Sequence, residues 1–359
     1  MNHPTLTVSL PAIVDNWRSL RDRTRSTCTA AVVKANAYGL GATEVSTALA
    51  RAGCADFFVA TLDEALTLRA ALPNVRIYVF QGVLRGEERA YLEHNLRPIL
   101  NTPQAIEQWL AIQSHHDHAP APIVHIDSGM QRLGLNPSYI EDAALREKIR
   151  AINPTHIMTH YACASDLHHA MNITQRRIMQ RIEQLLPTIP TCYANSAGHF
   201  LPHDYHGDMT RPGCALYGIN PCDDSPATKM RPVVTLCAPI LQVRDVDEVS
   251  TIGYSATAPV RPAMRTLTVG IGYADGIHRT ASHHLRASLG GIPIPMLGRV
   301  TMDMVCFDVT HVPERILEQH HMVVLMDEQQ TVDDVARIYG TIGYEVLTSL
   351  GNRIQRIYH

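Results

Sequence analysis

The sequence lacks a strong excess of charge of either sign, and it has no apolar run long enough to cross a membrane as a helix. Its 31 basic and 34 acidic residues leave a formal net charge of −3, so no concentrated positive field attracts nucleic acid or an anionic membrane. The start, MNHPT, lacks the basic and apolar regions of a secretory signal. We therefore expect a cytoplasmic protein with no nucleic-acid or membrane partner.

The cysteines lack the spacing of a metal site or a disulfide framework. Eight are spread along the chain without a CxxC pair, so buried, reduced thiols are the favoured interpretation. Histidine is in excess instead, at 20 residues, which predicts a net charge that rises quickly below about pH 6.5. Many histidines lie in predicted loops or helix ends, and we interpret these as solvated surface, with no metal expected: His115, His116, His118, His168, His169, His283, His284, His320 and His321.

Short β-branched strands alternate with helical segments over about the first 220 residues. The predicted strands span residues 30–34, 57–60, 76–80, 97–100, 122–126, 155–159, 190–194 and 213–217. Eight β-then-α units favour an α/β fold of the (β/α)8 TIM-barrel type, with helices covering a closed parallel sheet. A doubly wound open sheet has the same alternation and is the structural alternative.

The pattern changes after Lys229, where closely spaced turn signals separate strand-like segments. A single convincing helix is predicted there, near residues 332–339, among strands at 233–243, 267–272, 292–297, 304–309 and 322–325. We predict a barrel domain over residues 11–225 and a mostly β domain over residues 226–359, joined at a polar, proline-bearing stretch. Residues 1–10 are candidates for pairing with the second domain.

Polar side chains follow five of the eight predicted barrel strands, at the end where a barrel places its working residues. Lys34 closes the first strand. Partial desolvation there would lower its pKa and make it a plausible nucleophile for Schiff-base formation. A lysine that reaches out of the barrel mouth into solvent is the alternative.

The later strands end in other polar groups. DSGMQRLG, at residues 127–134, follows the fifth strand, His160 the sixth and NSAG, at 195–198, the seventh, while Arg211 and Gly213 stand at the eighth. Small and hydroxyl residues near the last strands supply the backbone N–H groups and the hydroxyl that a phosphate needs. The barrel is therefore expected to hold a phosphorylated aldehyde on Lys34.

Segments in chain order over essentially the whole length resemble the alanine racemase family. They are AVVKANAYG (31–39), DSGMQRLG (127–134), THY (159–161), NS (195–196), RPGCALYG (211–218), GYADG (272–276) and GRVTMDM (298–304). This resemblance implies a pyridoxal 5′-phosphate (PLP) enzyme with a barrel and a C-terminal β domain. It also implies a homodimer whose active sites each borrow residues from the partner chain.

The resemblance implies roles residue by residue. Lys34 resembles the lysine that binds PLP covalently and acts as one catalytic base, and Tyr254 resembles the opposing base, supplied by the partner. Arg132 is similar to the group that binds the phenolic oxygen and the substrate carboxylate, with Met302 as a second contact and Tyr273 at the entrance. The cofactor-binding positions are Tyr38, Ser196, Tyr358, Gly213 and Cys214 at the phosphate, Arg211 at the pyridine nitrogen with His160 behind it, and Asn195.

Racemisation itself needs two acid–base groups on opposite faces of the substrate. Loss of the α-proton leaves a carbanion that PLP stabilises as an electron sink, and inversion requires proton return on the other face. Lys34 and Tyr254 both have ordinary pKa values near 10, so neighbouring groups must tune them. Arg211 cannot give the pyridine nitrogen a proton, which would limit side reactions such as transamination.

One position departs from the family pattern. Many members have a lysine, often carbamylated, two residues before the aspartate of the Arg132 motif, whereas this chain has His125. A neutral or charged His125, a bound anion or water are the alternatives for orienting Arg132.

The favoured function is the interconversion of L-alanine and D-alanine, which supplies D-alanine for peptidoglycan synthesis in the cell wall. A broader racemase that also accepts serine is an alternative. A barrel-type PLP decarboxylase is less favoured because the chain has no Cys-Glu-Ser-Asp stretch. A non-catalytic PLP-binding protein is less favoured because such proteins resemble only the barrel.

Overall fold

The computed structural model describes residues 3–222 and 228–359, and the chain divides into two compact units. The barrel unit is Ile13–Arg231, and the C-terminal unit comprises Pro232–His359 together with the N-terminal residues up to Ala12. The predicted domain boundary at residues 225 and 226 lies outside the described residues.

A parallel sheet that closes on itself forms the centre of the barrel unit. After β1 (Thr5–Val8), which belongs to the C-terminal unit, its strands are β2 (Cys28–Thr29), β3 (Ala31–Val32), β4 (Asp56–Val59), β5 (Arg76–Val79), β6 (Leu96–Leu100), β7 (Ile123–His125), β8 (His156–Met158), β9 (Thr191–Cys192) and β10 (Met209–Thr210). They are ordered β2-β10-β9-β8-β7-β6-β5-β4-β3.

The two edges of this order are consecutive pieces of one strand, which closes the barrel. Ala30 N–H donates to Thr210 O at 2.9 Å on one side, and Val33 N–H donates to Phe58 O at 2.9 Å on the other. The barrel prediction is therefore confirmed, and the open-sheet alternative is wrong.

Helices alternate with the strands, and all but the short segment Lys34–Tyr38 at the carboxyl end of the barrel cover the outside of the sheet, as parallel strands require. They are α1 (Leu10–Arg23), α2 (Lys34–Tyr38), α3 (Ala42–Arg51), α4 (Leu62–Ala71), α5 (Glu88–Glu93), α6 (Pro103–Gln113), α7 (Ala143–Ala151) and α8 (Ala170–Leu185). The start of α6 is where its sequence predicts it, because Thr102 accepts the Ala105 N–H and Pro103 occupies the first turn.

Side chains from every strand fill the barrel interior. Phe58 stacks on Tyr78 with ring centroids 4.6 Å apart, and Phe80 lies 5.3 Å from Phe58. The other members of this buried cluster are Ala30, Val32, Ile99, Ile123, Met158, Cys192 and Met209. The barrel is thus a packed core, and a ligand can approach only at its ends.

A buried carboxylate closes the amino-terminal end of the barrel. Arg76 donates two hydrogen bonds of 2.6 Å to Asp56, and Tyr78 and Cys28 donate at 3.1 and 3.0 Å. Burial by itself raises the pKa of Asp56, but the hydrogen bonds from Arg76, Cys28 and Tyr78 outweigh it and lower the pKa. This end of the barrel is built for stability.

Two details of the predicted barrel strands are wrong. Residues 213–217 do not form the eighth strand: Cys214–Tyr217 is a 3-10 helix, and the strand is the preceding pair Met209–Thr210. The apolar run CALY predicts a strand by composition, but it forms one turn of 3-10 helix that ends at Gly218, which adopts φ +78°. Lys34 lies just beyond β3 and begins α2, so it is two residues past the strand end.

The C-terminal unit is mostly β, as predicted. Its further strands are β11 (Val234–Asp245), β12 (Ser250–Ile252), β13 (Ala258–Val260), β14 (Arg265–Val269), β15 (Arg286–Leu289), β16 (Ile292–Leu297), β17 (Val305–Asp308), β18 (Met322–Met326) and β19 (Gln355–Tyr358). The main sheet has the order β14-β17-β16-β15-β18-β11-β1-β19, and the far half of β11 also pairs with β14. β1 pairs antiparallel with β11 and parallel with β19.

The prediction of a single helix in this unit is wrong, because α9 (Glu314–Gln319) and α11 (Gly343–Ser349) accompany α10 (Val332–Tyr339). The sequence predicts α10 because it is amphipathic, and Thr331 and Asp334 cap its first turn reciprocally. The other two are short and lack a side-chain cap hydrogen bond. In the described part of the chain, no helix is long and apolar enough to span a bilayer.

Candidate active site

Lys34 lies in a left-handed turn at the carboxyl end of β3. The three residues that follow it have φ between 52° and 54°, a conformation that costs an L residue about 1–2 kcal/mol. Contacts from elsewhere hold this turn: Ala35 N–H donates to Glu64 Oε1 at 2.7 Å, and Asn36 Oδ1 accepts the Ala42 N–H at 2.8 Å. Strained backbone of this kind concentrates at functional sites.

The surroundings of Lys34 favour its neutral amine. Burial lowers its pKa, the positive charge of Arg132 lowers it further, and the Glu64 carboxylate opposes both effects. Nζ also lies 5.7 Å from the centre of the Phe80 ring. A larger neutral fraction makes this lysine a better nucleophile and proton acceptor than a solvated one.

Arg211 is a buried cation, only 2% exposed, at the end of β10. Backbone carbonyls satisfy it: Nη1 donates to Cys192 O at 2.8 Å, and Nη2 donates to Thr159 O at 2.7 Å. The described residues offer it no carboxylate, so its charge is not neutralised within the barrel unit. An anion or an electron-rich ring nitrogen would complete its surroundings.

His160 lies beside Arg211, and an N–H group of a neighbouring side chain faces each of its two ring nitrogens. Arg211 Nη2 is 3.5 Å from Nδ1, and Asn195 Nδ2 is 3.5 Å from Nε2. Burial lowers the pKa of His160 well below its usual value, and the charges of Arg211 and Arg132 lower it further. This imidazole is neutral at pH 7 and leaves the positive charge on Arg211.

A small cradle forms where the last two strands end. Ser196 Oγ accepts the N–H groups of Gly213 at 2.8 Å and Ala215 at 3.2 Å, and its own hydrogen has no acceptor among the described residues. A Cβ at residue 213 would lie 2.6 Å from Tyr38 Oη, so only glycine leaves room for that hydroxyl. Cys214 is buried in the same segment.

Arg132 lies at the tip of a compact loop over residues 127–135. The loop is closed at its base by Asp127 N–H to Leu135 O at 2.9 Å, and the Asp127 carboxylate accepts the N–H groups of Gly129 and Gln131 at 3.0 Å. The Arg132 side chain is exposed, and no hydrogen bond or ion pair joins it to any described residue. It is therefore available to an anion from outside the barrel.

His125 is neutral and has a fixed tautomer. Burial lowers its pKa to about 3, helped by the charges of Arg211 and Arg132. Asn101 Nδ2 donates to the carbonyls of Phe80 and Ile99, so its Oδ1 must accept from His125 Nδ1–H at 2.8 Å. Among the alternatives for this residue, a charged His125 is thereby excluded at neutral pH.

The remaining predicted site residues lie in the C-terminal unit and are mostly exposed. Tyr254 is 70% exposed and begins a short turn after β12, Met302 is 53% exposed and Tyr273 is 44% exposed. Tyr273 and Met302 are held together, since Tyr273 N–H donates to Thr301 O at 3.0 Å and Ala274 N–H donates to Met302 O at 3.0 Å. Tyr358 is half-buried in β19, paired with β1.

Sequence reasoning missed Glu64, Asn101 and Gln175, which touch the predicted residues or their backbone. Gln175 is the one that carried a readable signal. It falls on the buried stripe of α8 that also includes Asn172, Met179 and Ile182, and a polar residue on such a stripe needs partners. Glu64 follows β4 and Asn101 follows β6, and neither has a distinctive spacing.

These groups fit a phosphorylated pyridine aldehyde. The charge of Arg132 lowers the pKa of Lys34, and the charges of Arg132 and Arg211 both lower the pKa values of His125 and His160. The Glu64 carboxylate opposes the shift at Lys34, and the Asp127 carboxylate opposes the shift at His125. The excess positive charge suits a phosphate, a phenolic oxygen and a carboxylate together. The Ser196 hydroxyl and the glycine cradle offer a donor and room where a phosphate would lie.

Known proteins match the chain along its whole length. A family profile for the alanine racemase N-terminal domain matches residues 8–221, and one for the alanine racemase C-terminal domain matches residues 233–358. A protein of Acidiphilium cryptum named alanine racemase is 42% identical over 358 residues, which cover 99% of this chain and 99% of that one.

Two solved structures are similar throughout. The alanine racemase of Bartonella henselae, with covalently bound pyridoxal phosphate, superposes with a TM-score of 0.91 at 36% identity, covering 100% of both chains. The biosynthetic alanine racemase of Pseudomonas aeruginosa superposes with a TM-score of 0.87 at 34% identity, also covering 100% of both.

Proposed function

Because the chain belongs to the alanine racemase family, we propose that it interconverts L-alanine and D-alanine with PLP, using Lys34 and Tyr254 as the two acid–base groups. The observation that carries this proposal is the concentration of cationic groups at the carboxyl end of one barrel. Lys34, Arg132 and Arg211 are all placed there, and burial lowers the pKa of Lys34.

The chain's own residues divide the work. When PLP is bound, Arg211 would face its pyridine nitrogen without giving it a proton, with neutral His160 and Asn195 beside the guanidinium. The Ser196 hydroxyl, Tyr38 and the backbone at Gly213 and Cys214 hold the phosphate, together with Tyr358. Arg132, which has no protein partner in the described residues, takes the substrate carboxylate.

Proton transfer then needs a group on each face of the substrate. PLP, when bound, supplies the electron sink for the charge left on Cα. Lys34 Nζ holds or accepts the proton on one face, for which its lowered pKa suits it. Tyr254 Oη serves the opposite face, Met302 adds a contact and Tyr273 lines the entrance.

A homodimer with shared active sites is part of this proposal. Tyr254, Tyr273, Met302 and Met304 are large apolar side chains exposed on the C-terminal unit, and exposed apolar groups of this kind commonly mark an interface. A cytoplasmic location, where D-alanine would feed peptidoglycan synthesis, is also proposed. The eight cysteines carry reduced thiols, which suits a reducing compartment.

The test is to incubate the purified protein with PLP and either L-alanine or D-alanine in deuterated water. We expect both enantiomers to form from either substrate, with deuterium at Cα in the inverted product. Serine, supplied separately, measures substrate breadth. The Lys34→Ala variant should lose the visible absorbance of the attached cofactor together with activity, and an active wild-type-like Lys34→Ala protein would refute the assignment.

A further inference from the structure

Gln175 adds a side-chain link from α8 to the carboxyl ends of β7 and β8, which already pair with each other in the barrel sheet. It is fully buried on α8, at 0% exposure, and its carboxamide reaches the ends of both β7 and β8. Nε2 donates to Ser128 Oγ and to His160 O, both at 2.9 Å, and Oε1 accepts the Ala162 N–H at 2.9 Å.

The direction of every hydrogen bond in this network is determined. A backbone N–H can only donate and a carbonyl can only accept. The Ala162 N–H and the His160 carbonyl therefore identify the oxygen and the nitrogen of the Gln175 carboxamide. Ser128 Oγ must then accept from Gln175 and donate to Thr159 Oγ1 at 2.6 Å. Thr159 Oγ1 in turn donates to Ile126 O at 2.9 Å.

One arm of the network acts on the Arg132 loop. Because Arg132 has no side-chain partner among the described residues, the backbone of its loop decides where the guanidinium stands. Ser128 ties that loop to Gln175, and a Cβ at Gly129 would lie 3.5 Å from Gln175 Cγ and 3.3 Å from Met171 Sδ. The loop is thus packed against α8 as well as bonded to it.

The other arm acts on the backbone beside Arg211. Gln175 holds the carbonyl of His160, while Arg211 donates to the preceding carbonyl, that of Thr159. A shift of this segment would move the His160 ring, which stands 3.5 Å from Arg211.

We propose that Gln175 is a positioning residue that sets the Arg132 loop and the His160 segment in register, so that the substrate-carboxylate and ring-nitrogen ends of the site stay aligned. The proposal rests on the function proposed above. Buried polar networks of this type are strongly coupled, because each member depends on the others for its partner. Misplacement of catalytic groups by small distances is enough to reduce rates severely.

The decisive variant is Gln175→Glu, which keeps the shape but replaces the NH2 donor with a carboxylate oxygen. We expect the dissociation constant of PLP and the KM for alanine each to rise by about tenfold, since two donated bonds are lost. Ser128→Ala removes the link to the Arg132 loop and the bond to Thr159 but keeps the bonds of Gln175 to His160 and Ala162, so KM should rise by about threefold while PLP affinity changes by less than about twofold. Gln180→Glu, at an exposed position on α8, is the matched control.

A pH profile separates positioning from general destabilisation. A buried glutamic acid has a raised pKa, and its protonated form again donates one hydrogen bond, so Gln175→Glu should regain PLP affinity relative to wild type between about pH 8 and pH 6. Gln180→Glu should show no such recovery. Thermal unfolding of each apo protein reports stability separately.

The proposal is wrong if Gln175→Glu folds and matches Gln180→Glu in PLP affinity, KM and pH profile. If Gln175→Glu does not fold, Ser128→Ala decides: an unchanged KM rejects the coupling and a raised KM with normal PLP affinity supports it. A wild-type protein that binds PLP but does not racemise alanine would reject the proposed function alone, since the PLP affinities still test the His160 arm.

Discussion

The predicted site residues of the barrel unit and those of the C-terminal unit differ in how they are held. In the barrel, Arg211, Ser196 and Tyr38 are buried, and neighbouring groups fix each of them. In the C-terminal unit, Tyr254 and Met302 are more than half exposed. One chain therefore preorganises its cofactor-binding residues but leaves its second proposed base at the surface, where another protein surface would have to cover it.

The largest expected effect comes from mixing two inactive variants, one altered in the barrel unit and one in the C-terminal unit. Lys34→Ala and Tyr254→Phe should each lower racemisation by about 10²–10⁴-fold, because each removes one acid–base group. If every site combines residues of two chains, about half of the dimers in a refolded equimolar mixture are mixed, each with one intact site of two, so about a quarter of wild-type activity should return. Chiral analysis of alanine measures this directly.

The matched control replaces an exposed barrel tyrosine, Tyr139→Phe, which should keep full activity. Tyr254→Phe should also keep the absorbance of bound cofactor, unlike Lys34→Ala. A mixture with no recovered activity would place both bases on one chain and contradict the shared site.

The second prediction separates the two ends of the barrel. Asp56→Asn should lower the free energy of unfolding by about 2 kcal/mol at pH 7, because the half-exposed Arg76 loses its anionic partner and the buried Tyr78 hydroxyl loses a carboxylate acceptor. PLP affinity and KM should not change. Denaturant unfolding of the apo protein provides the measurement, with Asp22→Asn in the exposed pair with Arg21 as the control, where less than about 1 kcal/mol is expected.

The sign of the pH effect follows from the lowered pKa of Asp56. Its contribution is present above the unfolded-state pKa of about 3.9 and is lost as the pH falls through the lower folded-state pKa. The free energy of unfolding of Asp56→Asn should therefore fall less steeply than that of the wild type as the pH is lowered through this range. Equal acid profiles in both proteins would contradict this role.

The third prediction concerns the glycine cradle. Gly213→Ala should weaken PLP binding by about tenfold, because the added Cβ would lie 2.6 Å from the Tyr38 hydroxyl and force that hydroxyl to move. Gly270→Ala, in the C-terminal unit, is the control because its Cβ would meet only the flexible end of Leu241 at 3.2 Å. Cofactor titration of the two apo proteins should separate them, and equal affinities would show that the cradle tolerates a methyl group.

The smallest effect concerns the titration of a partly buried barrel histidine, compared with an exposed histidine of the same unit. Burial lowers the pKa of His156 to about 4, so the unfolded chain binds a proton that the folded one does not between about pH 6.5 and that value. Stability is therefore lost as the pH falls through this range. His156→Gln should reduce the loss between about pH 7 and 5.5 by about 1 kcal/mol. The exposed control His116→Gln should leave it unchanged, and denaturant unfolding at both pH values measures the difference.

Much of the barrel was predictable from local pattern, as the start of α6 shows. Thr102 accepts the Ala105 N–H and Pro103 occupies the first turn, so three residues close together in the chain suffice to predict where α6 begins. The eighth strand failed because CALY is apolar enough for a strand, whereas the actual strand is only Met209–Thr210. A strand of two residues has no period of its own and is defined by its neighbours β2 and β9.

The sequence by itself determined the motifs, their order and the residue types available for the chemistry, because these depend on residues near one another in the chain. The charge and orientation of these side chains depend on the tertiary structure. The neutrality of His125, the buried charge of Arg211 and the role of Gln175 each arise from groups brought together across the barrel, such as Gln175 and Ser128, which are 47 residues apart. Burial and hydrogen-bond partners set a side chain's charge and direction, and neither is a property of local sequence.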